Sequence, residues 1–150
     1  MHGDYNYRKG NDWWVSPYNV VPEVTSQMDL PEKVEIHDAT LRDGEQTPGI
    51  VFSVQDKIAI AEKLAEVGVE RIEAGMPAVS EPDFEAIKQI SKLGLKSKIF
   101  TFARATPGDM DKALECGAHG VIIEVPIGYP KLQWQFKWTW EDVLRKSVDA

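Results

Sequence analysis

The sequence predicts an α/β fold of the (β/α)8 TIM-barrel class, of which these residues supply roughly the first four βα units. Three observations predict it. Short apolar runs alternate four times with longer stretches of helical spacing. Every helical stretch opens on Ser or Thr with Asp three positions later, and the first three close on glycine. The densest polar cluster lies just after an apolar run, where parallel α/β folds carry their working residues.

Val34-Glu35-Ile36-His37-Asp38 reads as the first strand. Ser53 and Asp56 cap the apolar series Val54, Ile58, Ala61, Leu64 and Ala65, and Gly68 ends that helix. The second strand is Val69 to Ala74. Ser80 and Asp83 open the next helix, with Phe84, Ile87 and Ile90 on one face and Gly94 after it. Lys98 to Ala103 is the third strand. Thr106, Pro107 and Asp109 start the third helix, which Gly117 ends. Gly120 to Pro126 is the fourth strand, and Thr139 with Asp142 begins a fourth helix.

Strand-helix alternation of this kind implies parallel strands with right-handed crossovers. Two architectures share the pattern: an open doubly wound sheet and a closed barrel. A barrel takes about 250 residues, and four units alone leave two sheet edges unpaired. The chain therefore reads as an extension, residues 1–31, followed by the N-terminal half of a barrel, residues 32–150. A small open sheet complete in itself is the alternative. In the extension, Tyr5, Tyr7, Trp13, Trp14 and Tyr18 sit among polar residues without a helical or strand period. They read as packing aromatics or as a substrate lid.

A net charge of -7 argues against nucleic acid as a partner, because phosphate binding calls for a basic patch. Any anion site must then be local: an arginine, a metal or a helix N-terminus. The single cysteine, Cys116, allows no internal disulfide and suggests a cytoplasmic setting. No apolar run approaches the roughly 20 residues of a membrane span.

The chemistry gathers at strand ends. After the first strand, His37 to Gly49 is far more polar than a turn requires. Asp43 offers hard oxygens for a divalent ion, and Arg42 offers planar donors of fixed charge for a carboxylate or enolate. A surface ion pair between the two neighbours is the alternative. Glu73, near the end of the second strand, is placed to orient Arg42 through charge-assisted hydrogen bonds, or to be a solvated loop charge. Arg104 ends the third strand. His37 reads as a core or supporting residue, and His119, at the opposite end of a strand, as structural. The sequence holds no Gly-rich phosphate loop, zinc-type cysteine pair or nucleophile elbow.

Asp38-Ala39-Thr40-Leu41-Arg42-Asp43-Gly44-Glu45-Gln46 resembles the D-[ST]-T-L-R-D-G-E-Q signature of the isopropylmalate, homocitrate and citramalate synthases. Wider relatives are the hydroxymethylglutaryl-CoA lyases, within the DRE-TIM metallolyases. The likeness continues through Ile72 to Pro77 and Ala103 to Thr106, covering roughly residues 33–126. It implies that Asp43 is a metal ligand, Arg42 the arginine that stabilises the substrate oxygen and enolate, and Glu73 the support of that arginine. Gln46 would line the same mouth. The family's His-x-His pair and catalytic base have no counterpart here, so these residues alone should be inactive. Ala39 departs from the usual Ser or Thr. Ile127 to Lys137 lacks the Ser-Asp-x-His-like sequence usual after the fourth strand and offers Tyr129 and Lys131 instead.

The resemblance implies an acyltransferase. A divalent metal ion (Mg, Mn or Zn) would assist Claisen condensation of acetyl-CoA with a 2-oxo acid, in a protein expected to be a homo-oligomer with no membrane or nucleic-acid partner. Arg42, Gln46, Arg104, Tyr129 and Lys131 are the candidate substrate contacts. A carbon–carbon lyase of the hydroxymethylglutaryl-CoA lyase type, and a non-catalytic relative, are the alternatives.

Overall fold

Ser53 begins the first helix of the repeat because its side chain has a donor to satisfy. Its hydroxyl accepts from the Asp56 amide while Asp56 accepts from the Ser53 amide, a complete capping box. The same reciprocal pair forms between Thr139 and Asp142. Ser80 accepts from the Asp83 amide. Thr106 accepts no such amide bond, and the Asp109 carboxylate is held chiefly by Arg104.

The computed structural model describes residues 8–9, 13–29 and 31–150. It divides into a unit up to Val34 and a unit from Glu35 to Ala150. In the first, Arg8–Lys9 and Trp13–Trp14 pair as a short antiparallel ladder, and one-turn helices occupy Pro17–Val20 and Pro22–Thr25. This is more regular structure than the aperiodic sequence suggests. Tyr5 and Tyr7 lie outside the described residues.

The second unit carries four strands: β1 (His37–Asp38), β2 (Arg71–Glu73), β3 (Lys98–Arg104) and β4 (Gly120–Glu124). They pair in parallel in that order. Helices α1 (Val54–Glu66), α2 (Glu81–Lys92) and α3 (Pro107–Glu115) connect them, and α4 (Trp140–Asp149) follows β4. Consecutive parallel strands joined by helices make four βα units of the barrel fold. β1 and β2 are shorter than their apolar runs. Their ends still bond outward: the Arg71 amide donates to Ile36 O and the Ala74 amide to Phe100 O.

Strand alternation sorts side chains onto two faces. Ile72, Ala74, Ile99 and Ala103 are buried and join Leu41, Phe84, Ile87, Ile90 and Cys116 in or beside the core. The Cys116 thiol lies against the Phe84 carbonyl at 3.8 Å, and burial pushes its pKa up to about 11. The other face carries His37, Arg71, Glu73, Phe100 and Phe102, by the strand register. On it Gly120 stands opposite Phe100, whose ring would come within 2.5 Å of a Cβ there. Among the described residues no helix is long and apolar enough to cross a membrane.

Candidate functional site

Asp38 ends β1 and immediately turns the chain. Its carboxylate accepts from the Thr40 amide at 2.9 Å and the Thr40 hydroxyl at 3.1 Å. The amides of Arg42, Asp43 and Gly44 all donate to the Ala39 carbonyl. Leu41, fully buried, pins this turn to the core. Anchored between these restraints, Arg42 and Asp43 emerge at the carboxyl end of the strand, where barrels of this class carry their chemistry.

Arg42 is gripped on two sides. Its Nε donates to Glu73 Oε1 at 2.6 Å, Nη2 lies 3.4 Å from Glu73 Oε2, and Nη1 donates to Asp43 Oδ1 at 2.8 Å. The guanidinium carbon sits 4.5 Å from the centre of the Phe102 ring, a cation–π distance. The Glu73 hydrogen bond, and after it the charges of Glu73, Asp43 and Glu124, raise the arginine's pKa. Its cationic form is thereby locked in. Glu73 is almost wholly buried, so its charge depends on Arg42 for compensation. It also receives His37, whose Nε2 lies 3.4 Å from Oε2 and whose ring leans on Phe100. Thus the neighbouring Asp43 and a glutamate 31 residues away in sequence fix one guanidinium plane.

Asp43 is different. Its side chain is 68% exposed, and only Oδ1 is hydrogen-bonded among the described residues. An exposed carboxylate oxygen at a strand end suits one ligand position of a hard divalent cation. Among the described residues no three His, Cys, Asp or Glu side chains gather to hold a metal ion. Asp43 therefore fits as a single contributor, not as a complete site.

Gln46 is exposed and lines a cavity of about 250 Å³ together with Arg42, Glu45, Gly75, Met76 and Asp83. Arg104 is engaged by the helix that follows it: Nε and Nη2 donate in fork fashion to Asp109, both at 2.8 Å. That hydrogen-bonded pairing holds the Asp109 carboxyl below the usual carboxylate range. Lys131 and Arg104 line one cleft of about 230 Å³, with Glu124, Thr106, Phe136 and Trp138. Tyr129 is exposed and is not among the residues lining it. The structure thus joins Arg42, Asp43, Glu73 and Gln46 at the ends of β1 and β2, and Arg104 with Lys131 beyond β3 and β4.

The segment after β4 is folded in an unexpected way. Lys131–Phe136 forms a π-helix, and Lys137 closes it in the left-handed region at φ 58°. Single π-turns cluster at functional sites. Sequence reading also missed Lys57, which is 2% exposed and pairs with Glu45 and Asp83. The signal was present: position 57 falls on the helix face shared by Val54, Ile58 and Ala61, where a charge needs an explanation.

Known proteins resemble this chain at three levels. Residues 33–150 match the family described as HMGL-like. A homocitrate synthase of Methanopyrus kandleri is 43% identical over 135 residues, covering 90% of this chain and 34% of the relative. A probable 2-isopropylmalate synthase of Ignicoccus hospitalis is 46% identical over 121 residues, covering 81% and 30%. An (R)-citramalate synthase of Methanocaldococcus jannaschii is 44% identical over 117 residues, covering 78% and 24%. The chain therefore spans about a third, or less, of the length of these relatives. In structure it is similar to the HMG-CoA lyase of Bacillus subtilis, with a TM-score of 0.63 and 19% identity over 79% of this chain and 41% of that one. That likeness establishes the barrel fold.

Proposed function

The chain belongs to the HMGL-like family, and from that premise we propose that the whole protein condenses acetyl-CoA with a 2-oxo acid. The observation that carries this reading is the Arg42 clamp. A guanidinium held by Glu73 and Asp43, on a strand end, suits an oxygen that gains negative charge as a carbon–carbon bond forms. The related synthases favour condensation over cleavage, since relatives above 40% identity carry synthase names.

In this reading residues 32–150 contribute half of the catalytic barrel, and copies of the protein associate. A divalent ion, when bound, supplies Lewis-acid polarisation of the oxo acid's carbonyl. Asp43 would be one of its ligands. Arg42 has five N–H donors, of which three are taken by Glu73 and Asp43. The other two serve the substrate oxygen. Glu73 keeps the arginine oriented and Gln46 borders the same opening. Arg104, Lys131 and Tyr129 lie farther along the strand ends, where the distal part of an oxo acid would be sorted.

The test is release of free CoA thiol by the whole protein from acetyl-CoA, with pyruvate, 2-oxoisovalerate or 2-oxoglutarate as acceptor. Release that depends on one acceptor supports the reading. Cleavage of a hydroxyacyl-CoA without any condensation assigns a lyase instead. No turnover of either kind leaves a binding role.

A further inference from the structure

Beside the clamp lies a second charged assembly, built on a buried ammonium with two half-buried carboxylates. Lys57, in the first turn of α1, is buried to 2% exposure. Its Nζ is 2.6 Å from Glu45 Oε2 and hydrogen-bonds Asp83 Oδ1. Each partner is itself tied. Glu45 Oε1 accepts from the Phe52 amide at 3.1 Å, and Asp83 Oδ2 accepts from the Ser80 hydroxyl at 2.8 Å. The backbone comes close to the ammonium at Gly75, whose φ is +139° and where a Cβ would stand 3.4 Å from Nζ. A chain of contacts thus runs from the turn after Arg42 and Asp43, through α1, to the cap of α2.

Stability alone does not call for such an arrangement. Burying an ammonium against two half-buried carboxylates carries a desolvation cost, and apolar side chains of equal volume are often as stable. What ion pairs add is direction. Glu45 is the third residue after Arg42 and lies next to Gln46, and both line the cavity that Arg42 also borders. We propose that Lys57 is a positioning residue, which ties Glu45 to Asp83 and so holds the 44–52 segment in the register that presents Arg42, Asp43 and Gln46 together. The proposal rests on the functional reading above, because it assigns to those three residues a common task.

The experiment uses Lys57→Met in the whole protein, with amide hydrogen exchange and steady-state kinetics read side by side. Exchange should quicken over residues 44–52 and stay unchanged over 98–104. Turnover should fall by about 100-fold, the scale of a small misplacement near the chemistry, with KM for the oxo acid shifting less than about threefold. Glu45→Gln keeps an oxygen for the Phe52 amide and is the milder variant; it should move both readings the same way by less. If Lys57→Met does not fold, Glu45→Gln decides alone. Unchanged exchange over 44–52, or a loss of activity matching the loss of folded protein, overturns the proposal. Absence of condensation in the unaltered protein sinks the functional reading only, because the exchange comparison still judges Lys57.

Discussion

The ends of β1 and β4 are built from different materials. At β1 the side chains are charged and each ion pair has one buried member: Glu73 against Arg42, and Lys57 against Glu45 and Asp83. Beyond β4 they are aromatic and largely open. Tyr129 and Trp134 are exposed, Phe136 leans on Trp138, and Lys137 and Lys146 sit over the rings of Trp134 and Trp138. A buried hydrogen-bonded charge accepts few positions, because any other leaves it uncompensated. A cation over a ring accepts many, because the attraction varies gently with orientation. One end is made to hold an atom in place, the other to change its lining without disturbing the fold. On the proposed function, chemistry belongs to the first and substrate choice to the second.

The sharpest way to break this contrast is Arg42→Lys. An ammonium cannot reproduce the planar fork, so turnover should fall about 10²- to 10³-fold while the protein stays folded. Near-normal turnover would reduce the clamp to an ion pair of no catalytic consequence. Asp43→Asn keeps the size and removes the charge. Metal affinity, measured calorimetrically on the whole protein, should drop by roughly 10- to 100-fold, taking losses around known metal sites as a lower guide. Unaltered affinity would remove Asp43 from the ligand set.

Replacing Tyr129 and Lys131 together with Ala sharpens the other side. The order of oxo acids by kcat/KM should change, by about 1 to 3 kcal/mol for a lost apolar contact. A uniform fall across pyruvate, 2-oxoisovalerate and 2-oxoglutarate would make the segment scaffolding. The smallest effect concerns Asp109. Its folded pKa is depressed, chiefly by the Arg104 hydrogen bond, so the stabilisation is present above the unfolded value, about pH 4. It is lost as pH falls through the lower folded value. Asp109→Asn should flatten the acid limb of a denaturant-midpoint profile and leave the neutral part of its shape unchanged. An identical acid limb would refute the linkage.

How far such features can be read in advance depends on their span. The capping boxes at Ser53 and Thr139 were legible because both partners lie within three residues. So were the four βα units, since their periods repeat. The Arg42–Glu73 contact was legible as a possibility, from strand alternation and a shared end of the sheet. Thr106 misled: it makes no cap bond to the helix amides, and the Asp109 carboxylate pairs with Arg104 across the turn. Lys57 went unread because its partners lie 12 residues before it and 26 after it, beyond any local pattern. The π-helix left no trace to read: six residues of mixed polarity carry no 3.6-residue stripe, and closure depends on Trp138 bonding back to the Leu132 carbonyl.

The quiet thiol in the core has a practical meaning for probing these two ends. With a pKa of about 11, Cys116 is ionised to about one part in ten thousand at neutral pH, and the thiolate is the form that alkylates. It is also buried, and the sequence contains no other cysteine. A maleimide or spin label directed at a cysteine introduced at exposed Gln133 would therefore report on the segment after β4 without a background from the native thiol. Within these 150 residues the native sequence can thus serve as its own blank for spectroscopy.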